Sequence, residues 1–572
     1  MKILLIAINA KYIHSNPAVY SLAAYTNGNM TEEEKAKCKI EIAEYTINHR
    51  TETIIADIYK KKPDVLCFSC YIWNWDYVQE IMVELHKLLP TVPIYLGGPE
   101  VSFTSEEILK QYPFLNGIMI GEGEETFLEL CRAYIEYRDV NLVPGISGEP
   151  RGLVNINDIP FFYNDMAAFE HRIVYYESSR GCPYRCSYCL SSIDKTVRLR
   201  DLELVKKELQ FFLDLKIPQV KFIDRTFNCN CDHACEVWQY IYDNDNGVTN
   251  FHFEISADIL TDRELAILER MRPGLVQLEI GVQSTHLETI QEINRVMNID
   301  KLREVVAKIH SFKNIHQHLD LIAGLPFEDY KTFQKSFNDV YAMKPQQLQL
   351  GFLKVLKGAK MWEKAAEYGI AYTEKPPYEV LFTNWITYDE ILRLKQVEEM
   401  VEMYYNSNQF TYTLAMLEQE FATPFHLYEA LADYYVEKGY ALQNPARGYR
   451  YQILLDFCTE KAPEKEEMYR ELLTFDIYLR EKMKTRPAFA KCQDNLKDSS
   501  REIYQKEEET RQLLPAYAEY NSKQLSKMTH LEEFEYSVWE LGDCKKLTER
   551  QLMIFDYNER NPLNMEARII IM

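Results

Sequence analysis

Short apolar runs alternate with stretches of helical periodicity in the first quarter of the chain. Four apolar runs have the length of buried strands, and they occupy residues 2–8, 64–69, 93–98 and 117–120. Amphipathic helices are predicted between them, including residues 17–25 and 77–89. This alternation predicts a parallel sheet covered by helices on both faces, with ligands bound beyond the carboxyl ends of its strands. We assign this α/β domain to residues 1–145.

The same alternation continues in the middle of the chain. Further strands are predicted at residues 173–177, 219–224, 251–256, 276–281, 319–324 and 347–352. Because helical stretches lie between them, we expect a full or partial (β/α) barrel over residues 146–375. The site of such a barrel lies at the carboxyl ends of its strands.

Helical periodicity dominates the last third of the chain. From Tyr388 onward, apolar residues recur on one helical face. We expect a mainly helical domain over residues 376–572, which would serve as a lid or in substrate recognition. The charged stretch 486–508 is expected to be a linker, and the runs 551–557 and 567–571 are expected to pair as terminal strands.

Composition and charge restrict the partners and the location. The chain of 572 residues is long enough for several domains. Its net charge of −22 disfavours binding to nucleic acid, because a polyanion would be repelled. No apolar stretch approaches the roughly 20 residues that cross a bilayer, and the 13 cysteines are an odd number, which argues against a disulfide framework. We therefore expect a cytoplasmic protein without membrane contact.

Three cysteines in one short segment provide the most specific chemical signal. Cys182, Cys186 and Cys189 follow the predicted strand at residues 173–177 in a C-x3-C-x2-C spacing. Three thiolates can hold three irons of a [4Fe-4S] cluster and leave the fourth iron open to another ligand. A structural zinc site would need paired cysteine knuckles, which this segment lacks.

This segment resembles the signature loop of the radical S-adenosylmethionine (radical SAM) superfamily. The resemblance implies that S-adenosylmethionine binds the open iron, that the backbone of Tyr188 faces its adenine, and that an electron from the cluster cleaves it to a 5′-deoxyadenosyl radical. It also implies an electron donor such as flavodoxin or ferredoxin. Arg295 lies in a Glu-Ile-Asn-Arg segment that recurs in this superfamily. Further contacts to S-adenosylmethionine are expected from residues at the ends of the barrel strands, namely Asp224, Arg225, Glu254, Ser256, Glu279, Gln283 and Gly324.

Polar residues also follow the strands of the first domain. In a flavodoxin-like fold they would line one site, and their order resembles that of the cobalamin-binding domain. The resemblance implies cobalamin contacts from Asn9, Tyr12, His14, Ser69, Gly97, Gly98 and Glu100. His14 lies where the family motif Asp-x-His-x-x-Gly supplies the lower cobalt ligand, but Tyr12 replaces the acid and Pro17 the glycine. Two interpretations remain open: His14 ligates cobalt, or it is a helix-entry histidine bonded to backbone.

The combination resembles the cobalamin-binding radical SAM proteins with an uncharacterised C-terminal domain. It implies a [4Fe-4S] cluster, S-adenosylmethionine and cobalamin as cofactors, and methyl transfer to an unactivated carbon of a small-molecule or peptide substrate. The alternative enzyme performs a radical oxidation or ring closure without methylation, as the related anaerobic cyclase of chlorophyll synthesis suggests. The alternative of another class is a non-catalytic sensor of cobalamin or redox state. We interpret Cys229, Cys231 and Cys235 as incidental thiols rather than a second cluster.

Overall fold

A computed structural model describes residues 1–493 and 496–572 of the protein. Its N-terminal sheet contains the strands β1 Lys2–Asn9, β2 Lys39–Thr46, β3 Val65–Ser69, β4 Ile94–Gly97 and β5 Gly117–Met119. The helices of this region are α1 Pro17–Asn29, α2 Glu32–Lys37, α3 Thr51–Lys61, α4 Trp75–Leu88, α5 Pro99–Ser102, α6 Ser105–Gln111 and α7 Glu124–Ile135.

All strands of this sheet are parallel, and they lie in the order β2-β1-β3-β4-β5. Strand β1 contributes side chains to a hydrophobic cluster on each face of the sheet. Ile3 and Leu5 belong to one cluster, and Leu4 and Ile6 belong to the other. The predicted flavodoxin-like fold is therefore confirmed. The strand order reverses direction between β1 and β3, so the loops after these two strands flank a crevice at the topological switch point.

Strand β2 is missing from the sequence prediction. Its residues alternate between charged and apolar types, and only Ala43 and Thr46 are fully buried. The strand lies at the edge of the sheet, where one long side has no neighbouring strand. An edge strand of this kind lacks the continuous apolar run that marked β1, β3 and β4.

The central region contains a second, larger sheet and two short hairpins. Its strands are β6 Val174–Tyr176, β7 Ser179–Arg180, β8 Arg198–Leu199, β9 Gln219–Phe222, β10 Asn250–Ile255, β11 Val276–Gln283, β12 His316–Ala323, β13 Gln347–Phe352, β14 Ala371–Tyr372 and β15 Val380–Phe382. Its helices are α8 Leu202–Asp214, α9 Cys231–Asp243, α10 Asp262–Glu269, α11 Leu287–Glu292, α12 Ile299–Phe312, α13 Tyr330–Tyr341 and α14 Lys360–Lys364.

Six parallel strands of this region form one sheet in the order β13-β12-β11-β10-β9-β6. Strands β6 and β13 form its two edges, so the barrel is open on one side. Of the two predicted alternatives, the partial barrel is the one observed. Along β11 the burial alternates strictly, with Leu278 and Ile280 packed under the helices and Glu279 and Gly281 on the concave face.

The C-terminal region is mainly helical, as predicted, and ends in a small antiparallel sheet. Its helices are α15 Tyr388–Met400, which continues as a π-helical turn over Val401–Asn406, α16 Thr411–Leu417, α17 Pro424–Glu437, α18 Arg447–Lys461, α19 Glu466–Arg480, α20 Leu496–Thr510 and α21 Ser522–Met528. Its strands are β16 Thr529–Tyr536, β17 Lys546–Arg560 and β18 Ala567–Ile571.

Strands β17 and β18 pair antiparallel, which confirms the predicted terminal pair, and β16 adds a third strand on the other side of β17. The expected linker at 486–508 is wrong for its second half, because α20 begins at Leu496; Asp494 and Asn495 lie outside the described residues. Across the described ranges, every helix is either too short or too polar to cross a bilayer.

Candidate active site

The three cysteines of the C-x3-C-x2-C segment lie in the loop between β7 and β8, above the carboxyl end of β6. All three are free thiols, and only 8% of Cys182 and 7% of Cys186 is exposed. Gly181 initiates the loop with a φ of +98°, and a Cβ at this position would lie 2.2 Å from the carbonyl oxygen of Thr196. Only glycine fits here, so the turn that presents Cys182 depends on this residue.

The spacing of the thiols fits a cluster rather than a single ion. Sulfurs around one tetrahedral zinc ion would lie about 3.8 Å apart, since each Zn–S bond is about 2.3 Å long. Among the described residues, the one group of three His, Cys, Asp or Glu side chains whose ligand atoms all lie within 4.8 Å of one another does not include these cysteines. The three thiols therefore do not form a single-ion site, and three thiolates are the ligands that hold a [4Fe-4S] cluster with one open iron.

Arg295 provides a positive charge beside the cysteine loop. Its Nη1 lies 3.9 Å from the Sγ of Cys186 and donates a hydrogen bond of 3.2 Å to the hydroxyl of Tyr188. Its Nη2 donates to the carbonyl oxygen of Gly281 on β11. Burial raises the pKa of the Cys186 thiol, and the charge of Arg295 opposes this shift. The charge of Arg295 thus favours the thiolate form of Cys186, which is the form that binds iron. Its contacts also hold the cysteine loop against β11.

Asp224, predicted to face the amino group of S-adenosylmethionine, lies directly under the entrance of the cysteine loop. Its carboxylate accepts hydrogen bonds from Ser178 N at 3.0 Å, Ser178 Oγ at 2.7 Å and Ser179 Oγ at 2.6 Å. Burial raises its pKa to about 6, against the hydrogen bonds from the serines. These contacts hold the segment that leads into Cys182. The neighbouring Arg225 is exposed to solvent.

Other predicted contacts of S-adenosylmethionine are found at the carboxyl ends of the barrel strands. Ser256 donates to Asp258 at 2.8 Å. Gln283 has a φ of +72°, and its buried Oε1 has no hydrogen-bond partner in the structure. Gly324 has a φ of +85°, with Val380 packed against it. A buried oxygen without a partner is destabilising unless a ligand satisfies it, so Gln283 fits a polar ligand beside the cysteine loop.

The concave face of the barrel is polar. Lys221 of β9 pairs in register with His252 of β10, and Glu254 pairs with Glu279 of β11, which in turn pairs with His318 of β12. Sequence reasoning identified Glu254 and Glu279 but missed the other side chains. The alternation of polar and apolar residues in β10 and β12 could have revealed them, because it indicates strands with one polar face.

The two predicted glutamates of this face have opposite pKa shifts. Burial raises the pKa of Glu254 to about 7, and the charge of Glu279 adds to the shift. For Glu279, burial alone would raise the pKa, but the contact with His252 and the charge of Lys221 lower it to about 2. Glu279 is therefore ionised at neutral pH, whereas Glu254 is present both as the protonated acid and as the carboxylate.

The loop after β1 carries three predicted cobalamin contacts. Asn9 is buried and donates to the carbonyl oxygen of His14 at 3.0 Å and to Glu44 at 2.9 Å. The Nδ1 of His14 lies 2.5 Å from the hydroxyl of Tyr175, which belongs to β6 of the barrel. Tyr12 is 60% exposed. The loop therefore borders the concave side of the barrel.

The remaining predicted cobalamin contacts lie along β3 and β4. Ser69 accepts a hydrogen bond of 3.1 Å from Asn16. Gly97 ends β4, and Gly98 has a φ of +113°, with no room for a Cβ because the carbonyl oxygen of Cys70 would lie 2.4 Å away. Glu100 is buried and forms an ion pair of 3.0 Å with Lys357 of the central region. Its carboxylate therefore links two regions of the chain.

Large apolar side chains are exposed at the same edge of the sheet. Tyr12 and Ile13 follow β1, and Trp73 follows β3 and stacks on Tyr71 with ring centroids 4.4 Å apart. Exposed apolar side chains that cluster at a strand-end crevice mark a ligand-binding surface. A flat apolar ring system such as a corrin would cover them, so these residues fit cobalamin.

A network of ion pairs joins this first sheet to the cysteine loop. Arg180, two residues before Cys182, contacts Glu122 at 3.2 Å, Glu124 at 3.1 Å and Glu177 at 2.8 Å. Glu122 and Glu124 follow β5 of the N-terminal sheet. The arginine is enclosed by carboxylates from both regions, which fixes the position of the loop relative to the first sheet.

The cysteines Cys229, Cys231 and Cys235 lie at the start of α9. The sulfurs of Cys231 and Cys235 are 3.9 Å apart, and Cys231 also contacts Thr261 at 3.4 Å. Burial raises the pKa of Cys229 to about 11. The interpretation of the three thiols as incidental remains a prediction.

Comparison with known proteins gives three matches along the chain. Residues 3–131 match the B12 binding domain, residues 176–340 match the radical SAM superfamily, and residues 366–555 match a protein family of unknown function, DUF4080. The first match covers the N-terminal sheet, and the second covers the cysteine loop and most of the partial barrel.

Two curated relatives are methyltransferases. The cobalamin-dependent radical SAM methyltransferase TokK of Streptomyces tokunonensis is 25% identical over 422 residues, which cover 65% of this chain and 62% of TokK. The 2-(S-pantetheinyl)-carbapenam-3-carboxylate methyltransferase of Streptantibioticus cattleyicolor is 24% identical over 420 residues, which cover 65% of this chain and 61% of that protein. The chain thus spans just over three fifths of the length of these relatives.

A solved structure has a similar fold. The cobalamin-dependent S-adenosylmethionine radical enzyme OxsB, with aqua-cobalamin and S-adenosylmethionine bound, has a TM-score of 0.58 at 15% identity, and the match covers 83% of this chain and 78% of OxsB. At this identity the likeness concerns the fold. The chain therefore contains a B12 binding domain and a radical SAM domain, followed by a region that matches a family of unknown function.

Proposed function

We propose that the protein is a cobalamin-dependent radical SAM enzyme that methylates an unactivated carbon of a small-molecule or peptide substrate. The contacts between the first domain and the barrel carry this proposal. His14 of the first domain contacts Tyr175 on the barrel, and Arg180 beside the cysteine loop pairs with Glu122 and Glu124 of the first domain. A substrate carbon in the barrel would therefore lie within reach of both regions.

The thiols of Cys182, Cys186 and Cys189 would bind three irons, and Gln283 would donate to or accept from S-adenosylmethionine. Ser69 and the Gly97–Gly98 turn would border the cobalamin tail. When bound, the cluster and S-adenosylmethionine supply hydrogen-atom abstraction, and cobalamin supplies the methyl group. The chain supplies the enclosure, since Cys182 and Cys186 are less than one-tenth exposed.

The C-terminal domain packs against the edge strand β13 of the barrel, which supports a role in substrate recognition. A cavity of about 520 Å³ lies along the edge strand β13 and is lined on the other side by Lys395, Glu398 and Glu402 of α15 and its π-helical turn. Asn406 caps the strand edge by bonding to the backbone N–H and carbonyl of Leu348, each at 2.9 Å. The remainder of the β13 edge faces this charged cavity, and we propose that the substrate enters the barrel there.

The cluster is tested first, because no substrate is needed. After anaerobic reconstitution we expect one [4Fe-4S] cluster per chain, whose electron paramagnetic resonance (EPR) spectrum changes when S-adenosylmethionine is added. Cys186→Ala should abolish the cluster, whereas the matched variant Cys235→Ala, which removes a buried thiol outside the loop, should retain it. A spectrum that does not respond to S-adenosylmethionine would overturn the enzyme proposal and favour a sensor.

The reaction class is tested by the products. Methylation consumes one S-adenosylmethionine for the radical and another for the methyl group, so turnover should release 5′-deoxyadenosine and S-adenosylhomocysteine in similar amounts. An electron donor such as reduced flavodoxin or ferredoxin should support this turnover. Formation of 5′-deoxyadenosine and an oxidised substrate without S-adenosylhomocysteine would overturn the methyltransferase proposal in favour of oxidation or ring closure.

A further inference from the structure

One wall of the barrel carries a group of side chains that the proposed cofactor contacts leave largely unused. This interior cluster consists of His252 on β10, Glu279 on β11, and His318 and Asp320 on β12. The ligand atoms of Glu279, His318 and Asp320 all lie within 4.8 Å of one another. The Nε2 of His252 lies 2.9 Å from the Oε2 of Glu279. Three potential metal ligands from two neighbouring strands therefore converge, and His252 on the next strand contacts one of them.

Three polar atoms of the interior cluster are buried without a hydrogen bond. His252 is 6% exposed and His318 is 7% exposed, and the Nε2 atoms of both rings and the Oδ1 of Asp320 have no hydrogen-bond partner. The Nε2 of His318 lies 3.0 Å from the Oδ1 of Asp320, but the orientation does not give a hydrogen bond. Buried polar atoms in this state are destabilising, and an occupant that accepts their lone pairs would remove the penalty.

We propose that the interior cluster binds one divalent first-row transition ion, of which Zn²⁺ is the representative. Imidazole nitrogen and carboxylate oxygen are the ligands that such ions accept, and the absence of a thiol from the cluster separates this site from the cysteine loop. The ammonium of Lys221 lies 3.3 Å from the Oε2 of Glu279. A carboxylate offers about four lone-pair positions, so Glu279 can contact Lys221 and an ion together.

The site lies below the cysteine loop, inside the barrel. Arg295 contacts both Cys186 and the carbonyl of Gly281, which places Gly281 at the height of the loop. Glu279 precedes Gly281 by two residues, or about 7 Å along the strand. All ligands come from one wall, so the remaining coordination positions face the barrel interior and would take a carboxylate or carbonyl oxygen of a substrate. This use of the ion depends on the proposed enzyme function, whereas the ion site itself does not.

The proposal competes with the ribose contact that the family resemblance implies for Glu279. Gln283, the other residue of the implied pair, lies four residues further along β11, beyond the register shift between Gly281 and Gln283. Gly281 is linked to the cysteine loop through Arg295, and Gln283 lies beyond it toward the carboxyl end of β11. Gln283 is therefore better placed than Glu279 to contact a ligand on the open iron. The two roles for Glu279 can be separated by experiment.

Zinc uptake by the full-length, cluster-loaded protein tests the site. The protein is equilibrated anaerobically with Zn²⁺, freed of unbound metal by gel filtration, and analysed for zinc and iron by mass spectrometry. We expect one zinc ion per chain in addition to the iron. Zinc K-edge absorption should show only nitrogen and oxygen ligands at about 2.0–2.1 Å. His318→Gln and Asp320→Asn should each lose the zinc, while His316→Gln, a matched change on the same face of β12, should retain it.

Three outcomes would overturn the ion site. The first is a folded, iron-loaded protein that takes up no zinc. The second is zinc with sulfur ligands, which would place the ion on cysteines. The third is zinc uptake that His318→Gln and Asp320→Asn leave unchanged. The EPR response to S-adenosylmethionine, measured on the same samples, separates this proposal from the proposed function. Zinc bound without that response contradicts the enzyme function alone, and the response without zinc contradicts the ion site alone. Glu279→Gln should lose zinc and keep the response; the reverse result would assign Glu279 to the ribose and overturn its place in the cluster.

Discussion

His14 of the first domain and Tyr175 of the barrel are joined by a contact of 2.5 Å between Nδ1 and the phenol oxygen. A neutral phenol is a better hydrogen-bond donor than acceptor, and imidazole nitrogen is a good acceptor, so we expect Tyr175 to donate to Nδ1. The proton of the neutral ring is then on Nε2. Burial lowers the pKa of His14, and the charge of Lys11 adds to this shift, so the ring is neutral near pH 7. A protonated Nε2 has no lone pair for cobalt.

The first prediction concerns the lower face of cobalamin. With the reduced, paramagnetic cobalt state, we expect an EPR spectrum without nitrogen splitting from a histidine, and His14→Ala should leave it unchanged. Tyr175→Phe removes the donor and should allow a histidine-derived splitting if the ring can reach cobalt. Nitrogen splitting in the unmodified protein that disappears in His14→Ala would contradict this assignment and restore the ligating interpretation of His14.

The second prediction concerns the electrostatics of the cysteine loop. Arg295→Gln removes the positive charge that lies 3.9 Å from the Sγ of Cys186. Because a positive charge stabilises the reduced, more negative cluster, the reduction potential should fall. A potentiometric titration followed by EPR measures this shift. The control is Arg303→Gln on α12, whose partners Asp300 and Asp339 lie away from the cysteines, and its potential should equal that of the unmodified protein. Equal potentials for both variants would show that Arg295 has only a packing role.

The third prediction concerns the turn after β4. Gly98→Ala places a Cβ 2.4 Å from the carbonyl oxygen of Cys70 at a φ of +113°. We expect a loss of about 1–3 kcal/mol in the stability of the first domain, the usual cost of such backbone strain. Uptake of hydroxocobalamin should weaken, and Gly98→Leu should block it. Gly152→Ala is the matched control, since a Cβ there meets no atom within 4 Å. Normal uptake by Gly98→Leu would remove this turn from the cobalamin site.

The fourth prediction is a pH dependence of stability that originates at Glu328. Its Oε1 accepts hydrogen bonds of 2.7 Å from both Ser284 and Ser336, while its buried Oε2 has no partner. Burial raises its pKa from 4.5 to about 7, against the two serine contacts. The folded state therefore holds this proton more tightly than the unfolded state, and its contribution to stability falls as the pH rises from 4.5 to 7.

Glu328→Gln mimics the protonated acid and should remove this pH dependence. Relative to the unmodified protein, the variant should gain up to about 3 kcal/mol at pH 8 and differ little at pH 4.5. Thermal unfolding at the two pH values measures the difference. A variant that is less stable than the unmodified protein at pH 8 would show that Glu328 is ionised and well paired in the fold.

Local patterns along the chain determined much of the architecture. Continuous apolar runs identified β1, β3 and β4, because strands buried on both faces contain few polar residues. The same reasoning failed for the edge strand β2, whose exposed side permits charged residues. The cysteine loop was also readable in the sequence, since its three ligands lie within eight residues and their spacing follows from the geometry of one turn.

Only the tertiary structure decided which distant side chains meet. Glu100 is bound to Lys357, more than 250 positions away in the chain, and His14 is bound to Tyr175 of another domain. The interior cluster unites His252, Glu279 and His318 because parallel register places three strands side by side. A sequence pattern shows which face of a strand a residue occupies, but strand order and register depend on the packing of the whole sheet. The choice between a full and a partial barrel depended on that same packing.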